Sequence, residues 1–116
     1  MPVKIKRIYE PVAETDGYRV LIDRLWPRGI KKEGAHIDKW LKNIAPTTAL
    51  RKWFNHEPEK WQLFILKYHA EIRESPALEE LHADILKHKT VTFLFAAKDQ
   101  QHNHALALLQ IINGHS

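Results

Sequence analysis

Hydrophobic and polar residues alternate from Val3 to Tyr9, with Val3, Ile5, Arg7 and Tyr9 on one face and Lys4, Lys6 and Ile8 on the other. A period of two with lysines on one side predicts a partly exposed strand at or near a sheet edge. Pro11 and the turn dipeptide Asp16-Gly17 interrupt it, and Tyr18 to Leu25 resumes as a second, more buried strand. The segment after Pro27, with Gly29 and Gly34, is long enough to fold over the end of the sheet.

From Ile37 the period lengthens. Ile37, Trp40, Leu41 and Ile44 stand at i, i+3, i+4 and i+7, which predicts a short amphipathic helix stopped by Pro46. Thr47 or Thr48 caps the next helix, which turns Leu50, Trp53 and Phe54 inward. Pro58, between Glu57 and Glu59, suits a first helical turn, where its missing N–H has no intrahelical partner and carboxylates face the positive end. Trp61, Phe64, Ile65, Tyr68 and Ile72 form that helix's apolar stripe, and Ser75-Pro76 opens another with Leu78, Leu81, Ile85 and Leu86.

Thr90 to Ala97 is an unbroken β-branched and aromatic run of the kind covered on both faces, and so predicts a central strand. Asn103 caps a last helix lined by Ala105, Leu108, Leu109 and Ile112 and ended by Gly114. The predicted fold is α/β, a small, largely parallel sheet of about three strands packed by about five helices, in one domain spanning residues 1–116.

Composition narrows the chemistry. Four Trp, three Tyr and four Phe residues supply enough apolar area for a core that needs no metal or disulfide. The absence of Cys excludes disulfides, thiolate metal sites and cysteine nucleophiles. The opening Met1 to Arg7 lacks the apolar run of a secretory signal, and no stretch approaches the ~20 apolar residues of a membrane span, so a cytoplasmic protein without a membrane partner is expected. A net charge of +4 and a pI near 9.4 suit an anionic ligand or nucleic acid. The basic residues are scattered, however, in short clusters such as Lys4-Lys6-Arg7, Lys31-Lys32 and Arg51-Lys52 that read as solvated surface. There is no repeat and no glycine-rich phosphate loop, and no pattern identifies a cofactor or an oligomeric state.

Two polar clusters carry the candidate chemistry. The first is Asp23, Arg24, Trp26 and Arg28, at the C-terminal end of the second predicted strand, where the loops of open α/β sheets diverge and leave a crevice. Arg24 and Arg28 suit bidentate binding of a carboxylate or phosphate, Asp23 suits a base or an Arg-orienting group, and Trp26 suits a pocket wall. A buried Asp-Arg pair that fixes the loop, with Trp26 as core, explains the same residues. The second cluster is Lys98 and Asp99 with His102, Asn103 and His104, following the predicted central strand.

If the two strands are parallel, both clusters open on one edge of the sheet and make a composite pocket. Arg24, Arg28 and Lys98 then stabilise negative charge, Asp23, Asp99 and His104 are the candidates to move protons, and Trp26 and Asn103 complete the ligand contacts. Either histidine taken alone fits a surface or capping role better than a catalytic one. His102 and His104 offer only two metal ligands, which a helix splays apart, so no metal site is expected. Trp53, Trp61 and Tyr68 have core spacing, and His56 between the helices faces either solvent or the pocket.

Several of these stretches together resemble the YeaO-like branch of the bacterial domain of unknown function 488 family. They are RVLIDRLWPRG from Arg19 to Gly29, WLKNIAP from Trp40 to Pro46, LRKWF from Leu50 to Phe54, and AAKD from Ala96 to Asp99 with Asn103-His104-Ala105. They span almost the whole chain. The resemblance implies a small bacterial α/β protein whose biochemical role is unassigned. The wider family often has Cys-His-Arg where this chain reads Asn103-His104-Ala105, so any role of that cysteine as a nucleophile does not transfer. An inactive or purely binding role fits better. The expected function is binding of a small anionic ligand, a nucleotide or phosphorylated metabolite, and the alternative is a nucleic-acid-binding or protein-interaction module.

Overall fold

The computed structural model describes residues 3–114; Met1, Pro2, His115 and Ser116, the ends of the predicted domain, lie outside the described residues. Strands β1 (Val3–Arg7), β2 (Tyr18–Leu21), β3 (Lys39–Trp40) and β4 (Val91–Phe95) form one sheet in the order β1-β4-β2-β3, and every pairing is parallel. Helices α1 (Thr48–Phe54), α2 (Trp61–Ile72) and α3 (Pro76–Lys87) precede β4, and α4 (His104–Asn113) follows it. The expected α/β class holds, with one strand more and one helix fewer among the described residues than the sequence predicts.

The central strand is legible in its composition. All five residues of β4 are buried, because β1 and β2 flank it and both of its faces are covered. Val91, Phe93 and Phe95 join a core built by all four helices, including Leu50, Phe54, Phe64, Tyr68, Leu81, Ile85, Leu108 and Ile111. Leu94 points the other way and packs with Ile8 and Leu21 beneath Trp26, Ile30 and Ile37. One face of the sheet is therefore covered by helices. The other is closed by the loop between β2 and β3.

That loop explains the principal departure from the predicted elements. Ile37 to Ile44 is not a helix: Lys39–Trp40 is β3, and Lys42–Ile44 is a 3₁₀ turn. The N–H of Asp38 donates to the Arg19 carbonyl and the N–H of Leu41 to the Leu21 carbonyl, both at 2.9 Å, so pairing with β2 satisfies the backbone in place of a helical ladder. Ile37 packs on the loop side of the sheet while Leu41 and Ile44 pack on the helix side. A single helical stripe cannot serve both faces, and tertiary pairing overrides the spacing.

Smaller departures have similar causes. The second strand stops at Leu21, although the N–H of Ile22 still donates to the Leu94 carbonyl at 3.1 Å. Leu86, assigned to the core face of α3, is 75% exposed. On α4 it is Ala107 and Ile111, rather than Leu109 and Ile112, that are fully packed beside Ala105 and Leu108. The caps hold: Thr47 accepts from the N–H of Leu50, Ser75 from Ala77 and Asn103 from Leu106. Pro58 opens a 3₁₀ turn, Pro58–Lys60, that leads into α2.

Tyr68 ties the helical layer to the segment after β3. Its hydroxyl is fully buried and donates to the Ile44 carbonyl at 2.6 Å, and burial pushes the phenol far above its ordinary range. Tyr68→Phe leaves that carbonyl unpaired in a dry site. The expected cost is about 1–3 kcal/mol, read as a lower urea midpoint at unchanged slope.

Candidate functional site

Because all four strands run the same way, the loops at their C-terminal ends converge on one edge of the sheet. They line a cavity of about 460 Å³, with Tyr9 following β1, residues 23–28 following β2, Ala45 and Pro46 following β3, and residues 96–98 following β4. Arg51 of α1 and His104 of α4 complete the lining. Beside it lies a second cavity of about 370 Å³ that shares Pro46, Arg51, Ala97 and His104.

The structure thus brings together six of the residues singled out in the sequence. Asp23, Arg24, Trp26, Arg28, Lys98 and His104 line the first cavity; Asn103 lines the second; Asp99 lines neither.

Asp23 joins the ends of the two central strands. Its Oδ2 accepts from the N–H of Ala96 at 3.0 Å, and its own carbonyl accepts from the indole N–H of Trp40 at 2.7 Å. Its Oδ1 lies 3.1 Å from Nε2 of His104, within ion-pair distance but outside hydrogen-bond geometry. Nε2 engages the Ile22 carbonyl at 3.2 Å. A carbonyl oxygen only accepts, so Nε2 carries a hydrogen. The Ile22 carbonyl orients the ring through Nε2, and the Asp23 carboxylate lies beside it at ion-pair distance.

The alternative of a buried Asp23–Arg24 pair is not what holds this loop, since Asp23 engages Ala96 and His104. Arg24 turns instead to the chain after β3, where Nη2 donates to the carbonyls of Ala45 at 2.9 Å and Pro46 at 3.4 Å. Its buried Nε has no hydrogen-bond partner, a donor left over beside the cavity. Arg7 secures the opposite wall by donating to the carbonyls of Ala96 and Ala97.

Trp26 combines both roles weighed for it. It packs in the smaller core, donates to the Ile30 carbonyl at 2.6 Å, meets Trp40 edge-on and still lines the cavity. The side chains of Arg28 and Lys98 are exposed and make no hydrogen bond or ion pair with a described residue. The Arg28 carbonyl accepts from the Tyr9 hydroxyl at 2.8 Å, which fixes the backbone that carries the guanidinium.

The other two residues shape the loop between β4 and α4. The Asp99 carboxylate accepts from the N–H groups of Gln101 and His102 at 2.8 and 3.0 Å, and these bonds, the Gln101 one foremost, hold it below the usual carboxylate range. Asn103 accepts from Leu106 and donates to the Asp99 carbonyl at 2.8 Å, so its amide is spent on capping α4.

The charge balance of the site is one-sided. Around the first cavity stand Arg24, Arg28, Arg51 and Lys98, and Asp23 is the only carboxylate among the described residues lining it. The second cavity adds Lys52 and no carboxylate. Among the described residues no group of three His, Asp or Glu side chains is placed to hold a metal ion, and no helix is long and apolar enough to cross a membrane.

A family model described as the inactive DUF488-N3 subclade matches residues 2–115. The chain belongs to that subclade. YeaO, an uncharacterized protein of Escherichia coli strain K12, is 44% identical over 93% of this chain and 94% of its own. Rv3073c of Mycobacterium tuberculosis strain H37Rv and Mb3100c of Mycobacterium bovis, also uncharacterized proteins, are each 38% identical over 97% of this chain and 94% of theirs. The likeness therefore runs the length of the fold, as the YeaO-like resemblance implies. No solved structure matches the chain significantly.

In this DUF488-N3 chain the most informative lining residue that sequence reasoning passed over is Arg51. It lines both cavities, whereas the pair Arg51-Lys52 reads as solvated surface in sequence. The available signal was the cap at Thr47, which fixes the start of α1 and puts Arg51 one turn in, next to Pro46. His56, left open between solvent and pocket, lines the second cavity.

Proposed function

We propose that this DUF488-N3 protein binds a small anionic ligand, a nucleotide or phosphorylated metabolite, in the cavity at the C-terminal edge of its sheet. The observation that carries this is the gathering of Arg24, Arg28, Arg51 and Lys98 around a cavity with one carboxylate, Asp23. Folding does not consume the cationic groups of Arg28 and Lys98, and a concave site lined mostly by one sign of charge focuses their pull on an anion. His104, oriented through Nε2, supplies a further donor or acceptor on the same wall. The chain has no cysteine to act as a nucleophile, and the subclade's description as inactive agrees with binding rather than covalent catalysis.

Arg28→Ala and Lys98→Ala test this by titration calorimetry with inorganic phosphate. Each variant is expected to bind about tenfold more weakly, the scale of one charge-assisted hydrogen bond, while stability stays within about 0.5 kcal/mol of the parent. Unchanged phosphate affinity in both variants contradicts the proposal. Binding to long duplex DNA instead, falling steeply with salt, favours the nucleic-acid alternative.

A further inference from the structure

The two adjoining cavities differ in character. The first is ringed by cations, whereas the second is backed by Phe54 and Phe64, which are 6% and 2% exposed and packed in the core with ring centroids 4.7 Å apart. Two more accessible rings, the imidazoles of His56 and His102, also line it. His102 is held edge-on to Trp61 at 5.4 Å, with Nδ1 3.4 Å from the Asp99 carboxylate, so its plane is fixed before any ligand arrives.

His56 is held in a costly conformation. Asn55 ends α1 as its left-handed C-cap at φ 49°, and His56, also non-glycine, follows at φ 56°. Such strain persists where surrounding structure enforces it, and it clusters at ligand sites. Arg51 lies at the junction of the two cavities and lines both.

We propose that the ligand is a nucleoside 5′-monophosphate, with its phosphate among Arg24, Arg28, Arg51 and Lys98 and its base in the adjoining cavity against the imidazoles of His56 and His102. The proposal rests on the anion-binding function above and adds the ring. A phosphate alone fills little of a cavity of about 460 Å³, and pockets of this size take whole metabolites. An aliphatic phosphorylated metabolite offers those imidazoles no flat face to stack on. A planar base does, and its ring nitrogens and carbonyls come within reach of the Thr48 hydroxyl on the same lining.

Calorimetric titration of the full chain with inorganic phosphate, ribose 5-phosphate, adenosine 5′-monophosphate and uridine 5′-monophosphate separates the two levels of the claim. Both nucleotides are expected to bind at least about tenfold more tightly than ribose 5-phosphate, the scale of one stacked base. His56→Asn, which keeps a residue tolerant of left-handed φ, and His102→Ala should each remove most of that advantage and leave ribose 5-phosphate affinity unchanged. A 5′-phosphorylated tetranucleotide that binds more tightly than the mononucleotides places the same unit at a strand end. Equal affinity for ribose 5-phosphate and both nucleotides overturns the ring proposal, yet leaves anion binding intact if Arg28→Ala still weakens all three. Failure of all four probes to bind overturns both.

Discussion

Asp16→Ala is expected to destabilise the protein by about 3–5 kcal/mol at neutral pH, the usual cost of stranding a buried charge. Asp16 is 2% exposed and Arg19 3%. The carboxylate accepts from Lys6 Nζ at 2.8 and 3.0 Å and from the N–H of Ala13 at 3.1 Å, and it pairs directly with the Arg19 guanidinium. Arg19 Nε donates in turn to the His36 carbonyl at 2.9 Å. The network joins β1, the turn before β2, β2 itself and the loop over the second sheet face. Removing the carboxylate leaves Arg19 buried with only carbonyls to receive it.

The same group predicts an acid response with a definite sign. Burial raises the pKa of Asp16, but the bonds from Lys6, Ala13 and Arg19 outweigh it and hold the folded value below the unfolded one. Between those two values the unfolded chain binds more protons, so this contribution is complete above the unfolded pKa of about 3.9 and is lost as pH falls through the folded value. Urea midpoints measured at neutral pH and near pH 3 should differ less in Asp16→Ala than in the parent. A loss under about 1 kcal/mol at neutral pH would show that the network is dispensable.

The second large effect lies one residue on. Gly17 has φ +66°, and a Cβ there would stand 2.3 Å from the Thr90 carbonyl oxygen and 2.8 Å from Thr90 Cβ. That carbonyl cannot withdraw freely, because it accepts from the N–H of Tyr18 at 2.9 Å at the start of the β2–β4 ladder. Gly17→Ala therefore combines backbone strain of about 1–2 kcal/mol with a steric clash of about 1–3 kcal/mol. The expected drop in melting temperature exceeds about 10 °C. Gly29→Ala is the control: φ is +81° but nothing stands within 4 Å of the new carbon, so only the backbone strain of about 1–2 kcal/mol should register. Equal effects at the two glycines would contradict the close approach of Gly17 to Thr90.

Local chemistry made much of this fold readable. β4 announced itself through five residues that all suit burial, and the caps at Thr47, Ser75 and Asn103 sit where short polar side chains precede apolar periodicity. The segment from Ile37 to Ile44 misled because a helical spacing and a strand-plus-turn place apolar residues at the same positions. What separates them is the partner strand β2, and a single-sequence pattern does not contain it.

The site divides along the same line. Asp23, Arg24, Arg28, Lys98 and His104 were legible because charged groups ending an apolar strand need a cleft or a partner, and two parallel strands carry them to one edge. Arg51 was not, because its place depends on how α1 packs across the sheet rather than on its neighbours in sequence. Asp99 carried the right residue type for proton transfer but is engaged by two backbone N–H groups of its own loop.

The central claim is that these cations form one anion site at the C-terminal edge of the sheet. Backbone amide shifts followed by NMR during titration with inorganic phosphate test it most directly. Saturable shifts are expected at Arg24 to Arg28, Ala96 to Lys98, Arg51 and His104, around one cavity. Shifts absent there, or confined to Lys4 to Arg7 and Lys31-Lys32, would contradict it.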